Sequence, residues 1–241
     1  MGRRLCQHID RVRLLEQELH DALPTLATEG TVRVRLPIAV NADSLATWFA
    51  PSAAAFAAES PVLIDVAVDD QDHTAEWLRS GVVLAAVTGS SRPTVGCNSQ
   101  VLGAMRYLAA ASPSFMERYF SDGVGAGTLV RAPSLVFNSK DELQTRWAHR
   151  LCHRHVELPR HTLPSPQAFV TASLAGMGWG MHPMSLIEPY LKTGALVELL
   201  PDKPLDVPLY WQQARASSTL LDGLSKVILA AGRAALIQPN S

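Results

Sequence analysis

The apolar residues change their period near residue 30. Before it, Leu5, Ile9, Val12, Leu15, Leu19 and Leu23 recur at steps of three and four, while Arg3, Arg4, Arg11, Arg13, Glu16, Glu18 and Asp21 fall on other faces. This spacing predicts one amphipathic helix, closed by Pro24 and Gly30. Such a stripe either packs on its own domain or pairs with a copy of itself, and three turns of heptad are too few to separate the two. After it, Val32, Val34, Leu36, Ile38 and Val40 alternate with Arg33 and Arg35, the period of two that marks a strand. NADSLATWFAPSAAAF then reads as a helix capped by Asp43 or Ser44. VLIDVAV is a buried strand, DDQDHTAEWLRSG a short helix that starts on acidic residues and stops at Gly81, and VVLAAVTG a further strand. The order β-α-β-α-β predicts an α/β fold, with a parallel sheet and helices on its faces.

The same phrase then returns. PSLVFNSKDELQTRWAHRL, with Asn138 and Trp147, parallels PIAVNADSLATWF, with Asn41 and Trp48, and HTLPSPQAFVTASLAGMGWGM follows as strand, capped helix, glycine and short strand. Between the copies, TVGCNSQVLGAMRYLAAASPSFMERYF reads as two strands and a helix capped at Ser112, with Pro113 in its first turn. DVPLYWQQAR adds a strand and TLLDGLSKVILAAGRAALI a closing helix with Leu220, Leu224, Val227, Ile228, Ala231 and Leu236 along one face. The pattern therefore divides into a helix over 1–29, one lobe from 30–108 with 209–241, and a second lobe over 109–208. Two such lobes place a cleft at the carboxyl ends of their strands, where helix starts favour a small anion. Glycines 176, 178 and 180 resemble a phosphate loop only superficially. They follow a helix, whereas a dinucleotide fingerprint follows a strand and opens a helix. Gly176 fits a helix C-terminus, Gly178 and Gly180 a close-packed short strand, and Pro183 the start of the next helix.

Charge and composition narrow the function. The formal net charge is −1, with 47% hydrophobic and 18% charged residues, so no global attraction to phosphate backbones or anionic lipid is expected. The charged start and the Pro51-interrupted alanine run match neither a signal peptide nor a membrane span. Three widely spaced cysteines, Cys6, Cys97 and Cys152, argue against a disulfide framework and for the reducing cytoplasm. Cys152, His153, His155 and His161 match no standard metal spacing, and Cys97 reads as a small core residue. No nucleophile elbow or zinc-binding His-Glu-x-x-His is present. Neither catalysis, nor a metal, nor a cofactor is expected.

GMGWGMHP followed by LKTGALVEL, the helix Leu5 to Leu23, and the order of elements resemble the linker helix and effector-binding region of LysR-type transcriptional regulators. VDDQDHT, LRSGVVLAAVTG, GCNSQVLGAMRYLAAASPSF, VFNSKDELQ and PLYWQ are similar to the branch that senses arginine and lysine. The resemblance covers nearly the whole chain. It implies two Rossmann-like lobes of the type II periplasmic-binding-protein-like fold behind an N-terminal linker helix. It also implies a cytoplasmic homodimer, or a tetramer in the full-length parent, that responds to L-lysine or L-arginine and controls amino-acid export or metabolism genes. The family's winged helix-turn-helix is absent ahead of the linker, so operator binding is expected only through that missing domain. The alternative from another class is an amino-acid receptor of a transport system, which shares two lobes but would be secreted and monomeric.

A basic amino acid needs donors for its carboxylate, acceptors for its ammonium and an acid at its far end. Asp43, Ser44 and Thr88 are candidates for the carboxylate end, and Asp70, Asp72, Asp141 and Glu142 for the cationic end. Each has a competing reading. Asp43 or Ser44 serves equally as an N-cap, and Asp141 or Glu142 as a first-turn acid. His73 and Thr74 either touch ligand or cap their helix, and Ser139 and Trp179 complete the candidate set.

Overall fold

The computed structural model describes residues 34–69, 74–215 and 219–238, together with Val12. The helix expected over Leu5 to Leu23 lies outside the described residues. The chain divides into two compact units, Met1–Gly103 with Pro208–Ser241, and Ala104–Val207. Among the described residues no helix is long and apolar enough to cross a membrane.

In unit 1, β1 (Val34–Asn41) runs parallel to β2 (Val62–Asp69) and to β3 (Ala85–Thr88), and β3 runs antiparallel to β9 (Leu205–Ala214). Leu36, Ile38, Ala39 and Val40 are fully buried. A strand covered on both faces carries such a continuous apolar run rather than strict alternation. Helix α1 is a continuous run made of Ala42–Ser44, a π-helical turn at Leu45–Phe49 and Ala50–Glu59. Its wide turn has a local cause. Pro51 lacks an N–H and its ring crowds the carbonyl of Thr47, so loosening the preceding turn keeps the helix unbroken. Helix α2 (Thr74–Arg79) ends at Gly81, whose φ of 70° lies in the left-handed region. The closing helix α8 (Thr219–Ala235) buries Leu221, Leu224, Ser225, Ile228 and Gly232. The buried line passes through Leu221 and Gly232 rather than Leu220 and Ala231, because Gly232 lets the helix press against Leu102, whose Cδ2 stands 2.7 Å from where a Cβ would be.

The two strands expected between the lobes are one. β4 (Cys97–Ala111) runs 15 residues without a break. Gly103, the natural place to divide it, adopts φ +131°, and a side chain there would meet the Ile237 carbonyl at 2.8 Å and Gln238 at 2.6 Å. The glycine lets the strand pass close under the chain terminus instead of ending it. Beyond it, Arg106 on β4 forms a bidentate pair with Asp206 on β9, at 2.8 and 2.7 Å.

Unit 2 follows with α3 (Pro113–Phe120), whose cap Ser112 accepts from the Phe115 N–H, and α4 (Ala126–Leu129). β5 (Ser134–Val136) leads to α5 (Leu143–Cys152), and β6 (Arg160–Thr162), parallel to β5, leads to α6 (Pro166–Leu174). β7 (Gly180–Pro183) pairs antiparallel with β4 and is followed by α7 (Met184–Thr193) and β8 (Val197–Glu198). Gly176 ends α6 at φ 73°. Gly178 precedes the strand rather than joining it, since a Cβ there would lie 2.8 Å from Leu135 Cδ2 and 3.0 Å from the Pro133 carbonyl. Pro183 closes β7, and α7 starts one residue later.

Candidate functional site

Three parallel strands of unit 1 end level with one another. The register Ile38 to Ala85 and Ala39 to Ala86, continued, sets Asn41 beside Thr88, and Asn41 stands opposite Asp69 on its other side. Helix α1 begins at Ala42, immediately after Asn41. Carboxyl ends of parallel strands meeting a helix start form the usual place for a small polar ligand in α/β folds.

Asn41, Ser44 and Thr88 are fully buried here. Thr88 Oγ1 accepts from the Ser90 N–H at 3.2 Å. Asn41 holds the N-cap position with extended backbone, φ −68° and ψ 147°, yet its side chain caps nothing. Neither its amide oxygen nor its nitrogen has a hydrogen-bond partner, and the same is true of Ser44 Oγ and, one turn further, Trp48 Nε1. Leaving a buried polar group unpaired costs about 1–3 kcal/mol. Four such atoms on one short stretch call for water or ligand to complete them. The cap assigned to Asp43 or Ser44 is thereby corrected. The strand stops and the helix starts at Asn41, so Asp43 is a first-turn acid whose carbonyl accepts from Thr47 Oγ1 at 2.7 Å, and Ser44 lies inside the helix. Asp70, Asp72 and His73 lie outside the described residues, and Thr74 is the first residue of α2.

The unit 2 candidates have different surroundings. Asp141 is buried, with Oδ2 accepting from the Phe137 N–H at 2.9 Å and Oδ1 from the Leu143 N–H at 3.1 Å. Burial pushes its carboxyl above the ordinary carboxylate range, opposed by those two N–H donors, by Gln144 and by the charge of Arg160. It braces the turn into α5, where Glu142 takes the exposed N-cap position. Ser139 is exposed in that turn. Trp179 is fully buried, its ring 5.4 Å from that of Trp147 and its carbonyl accepting from the Leu135 N–H at 2.8 Å, while its Nε1 has no partner. His182 is sealed on β7 with Nε2 3.0 Å from Ser173 Oγ. Among the described residues no group of three or more His, Cys, Asp or Glu side chains is arranged to hold a metal ion.

Asn41 and Trp48 are absent from the candidates that spacing supplied. Both belong to the repeated phrase, where they read as landmarks shared with Asn138 and Trp147. Their counterparts each have a partner: Asn138 Oδ1 accepts from the Lys140 N–H at 2.8 Å, and Trp147 Nε1 donates to the Lys203 carbonyl at 2.8 Å. An asparagine at the end of an apolar strand was the available signal.

Residues 29–232 match the LysR substrate binding domain. The HTH-type transcriptional regulator ArgP of Pseudomonas fluorescens is 45% identical over 231 residues, covering 95% of this chain and 76% of that protein. The C-terminal domains of a LysR family protein from Agrobacterium tumefaciens superpose with a TM-score of 0.83 at 51% identity, covering 86% of this chain and all of that one. Full-length LysG from Corynebacterium glutamicum, solved with bound effector Arg, superposes with a TM-score of 0.80 at 33% identity over 99% of this chain and 79% of that one. The kinship is with transcriptional regulators rather than transport receptors or enzymes. The chain belongs to the LysR family of transcriptional regulators, in the ArgP/LysG branch, and comprises its effector-binding domain.

Proposed function

We propose that this domain senses L-arginine or L-lysine and so controls genes of amino-acid export or metabolism. The observation that carries the reading is the pair of fully buried, unpartnered side chains Asn41 and Ser44 where β1 meets α1. Together with Thr88 and the helix start they supply the donors and acceptors that an α-amino acid's carboxylate and ammonium require. The bound Arg of the LysG relative supports a cationic side chain as the other half of the effector. Asp70 and Asp72 follow β2 in the sequence and are the acids we assign to that cation, with His73 and Thr74 as further polar contacts. Asp43 adds a charge in the first turn of α1, while the hydrogen bonds of Asp141 and the packing of Trp179 favour a supporting role in unit 2, and Ser139 is exposed in the turn before Asp141. The active species in this reading is a cytoplasmic homodimer or tetramer that reaches DNA through the family's winged helix-turn-helix and performs no catalysis.

Thermal unfolding with added amino acids tests this. Effector at a hundred times its dissociation constant stabilises by about 2.7 kcal/mol. L-arginine or L-lysine should therefore raise Tm by several degrees and neutral L-citrulline by far less. No shift with either basic amino acid at millimolar concentration sinks the proposal.

A further inference from the structure

We propose that Gln212 is a positioning residue for the effector end of unit 1, holding the loop after Thr88 in the shape the effector meets. This rests on the reading that effector binds where β1 and β3 end. Gln212 lies on β9 and is fully buried, in register with Ala86 of β3. Its carboxamide makes three bonds to loop backbone: Nε2 donates to the carbonyls of Ser90 at 3.0 Å and Arg92 at 2.9 Å, and Oε1 accepts from the Thr94 N–H at 2.9 Å.

The loop's other bonds are few: the Cys97 N–H donates to the Thr94 carbonyl and the Arg215 N–H to the Gly96 carbonyl, both at 2.9 Å, and Ser90 Oγ donates to the Arg92 carbonyl at 3.3 Å. No residue from Gly89 to Gly96 is buried, and Val95, its one large apolar side chain, is 98% exposed. Apolar packing therefore does not fix the backbone path, and directional bonds must. Ser90 links the clamp to the site. Its carbonyl is held by Gln212, and its N–H donates to Thr88 Oγ1 at 3.2 Å. Letting Ser90 move withdraws an N–H that the Thr88 hydroxyl accepts.

The neighbouring residues on β9 serve another purpose. Trp211 Nε1 donates to Gln213 Oε1 at 3.1 Å and to Ser225 Oγ at 2.8 Å, Ser225 Oγ donates to Gln213 Oε1, and Gln213 Nε2 donates to Asp222 at 2.9 Å. Successive strand residues face opposite ways. Trp211 and Gln213 thus tie the strand to α8, and Gln212 alone of the three ties it to the loop.

The test compares Gln212→Leu, Gln212→Glu and Ser225→Ala with wild type in the 241-residue chain. Amide exchange at Ser90 and Thr94 without effector should accelerate in Gln212→Leu and stay slow in Ser225→Ala, while Gln212→Glu should accelerate Ser90 more than Thr94. Calorimetric titration with L-arginine should show Kd raised about tenfold or more in the Gln212 variants, the equivalent of one lost hydrogen bond. Ser225→Ala should lose thermal stability while keeping Kd within about twofold of wild type. Gln212→Glu keeps the acceptor for Thr94 and removes both donors, so it reports on the clamp if the leucine variant does not fold. Wild-type affinity in a folded Gln212 variant, or unchanged loop exchange, overturns the assignment alone. Wild type binding neither arginine nor lysine overturns the effector reading and this inference together.

Discussion

His182 is a fully buried histidine whose neutrality is imposed by its surroundings. Phe169 meets its ring edge-on at 6.2 Å, Ser173 supplies its hydrogen bond, and burial lowers its pKa to about 4. Below pH 6.5 the unfolded chain takes up a proton that the folded chain refuses, so stability falls as pH drops from 6.5 towards 4. The difference amounts to about 3 kcal/mol once both forms are traversed. Urea denaturation at pH 7 and pH 4.5 should show this loss in the wild type and a much smaller one in His182→Gln. An equal loss in both assigns the acid sensitivity elsewhere. Asp141 makes a second prediction. Replacing it by asparagine turns an accepting oxygen into an NH2 that faces a backbone N–H, at about 1–3 kcal/mol. Tm should fall, with affinity for L-arginine and L-citrulline reduced by the same factor. A loss selective for arginine would return Asp141 to the effector's cationic end. At this scale the sequence is least informative. Asn41 and Asn138 stand at matching places in a repeated phrase, and only the backbone after each decides that one is paired with Lys140 and the other left without a partner.

Elements were easier to read than side chains, because burial imposes a period that survives in one sequence. The strand ending at Asn41, the helix capped by Ser112, and the α6 passage through Gly176 are all visible as patterns. The misreadings fall where a contact distant in sequence decides. Gly103 looks like a break, yet the terminal segment Leu236–Gln238 lies against it and the strand continues. Gly232 turns the buried line of α8 because Leu102 fills its missing side chain. Gly103→Ala is accordingly expected to destabilise by about 2 kcal/mol or more, combining a positive φ with collision against a backbone carbonyl. Chemical denaturation measures it. A change under half a kilocalorie would mean that the chain terminus yields. The Arg106–Asp206 pair, in contrast, has good bidentate geometry but both side chains are more than a third exposed. Solvent screening leaves such a pair worth roughly 0.2–1 kcal/mol.

At the scale of the molecule, the α/β class was legible in the alternation of strand and helix, and the family in strings spread along the chain. Spacing does not single out an acid for a cationic effector, since Asp70, Asp72 and Asp141 offer the same residue type in cap and binding roles alike. One feature of the division reaches beyond the folded state. Unit 1 is assembled from both ends of the chain, with unit 2 inserted as the single stretch Ala104–Val207. During synthesis β1, β2 and β3 emerge first, yet Trp211, Gln212 and α8, which bind β3, its loop and the strand's helix partner, emerge last. Domains ordinarily fold in the order the ribosome delivers them. Here the second unit is complete first. Chains stalled on the ribosome at Ser241, with the closing helix still in the exit tunnel, should carry a protease-resistant unit 2 beside a cleavable unit 1, and resistance of unit 1 should appear only when that helix is released. A regulator built this way gains no competent sensor from a chain that stops before its closing helix.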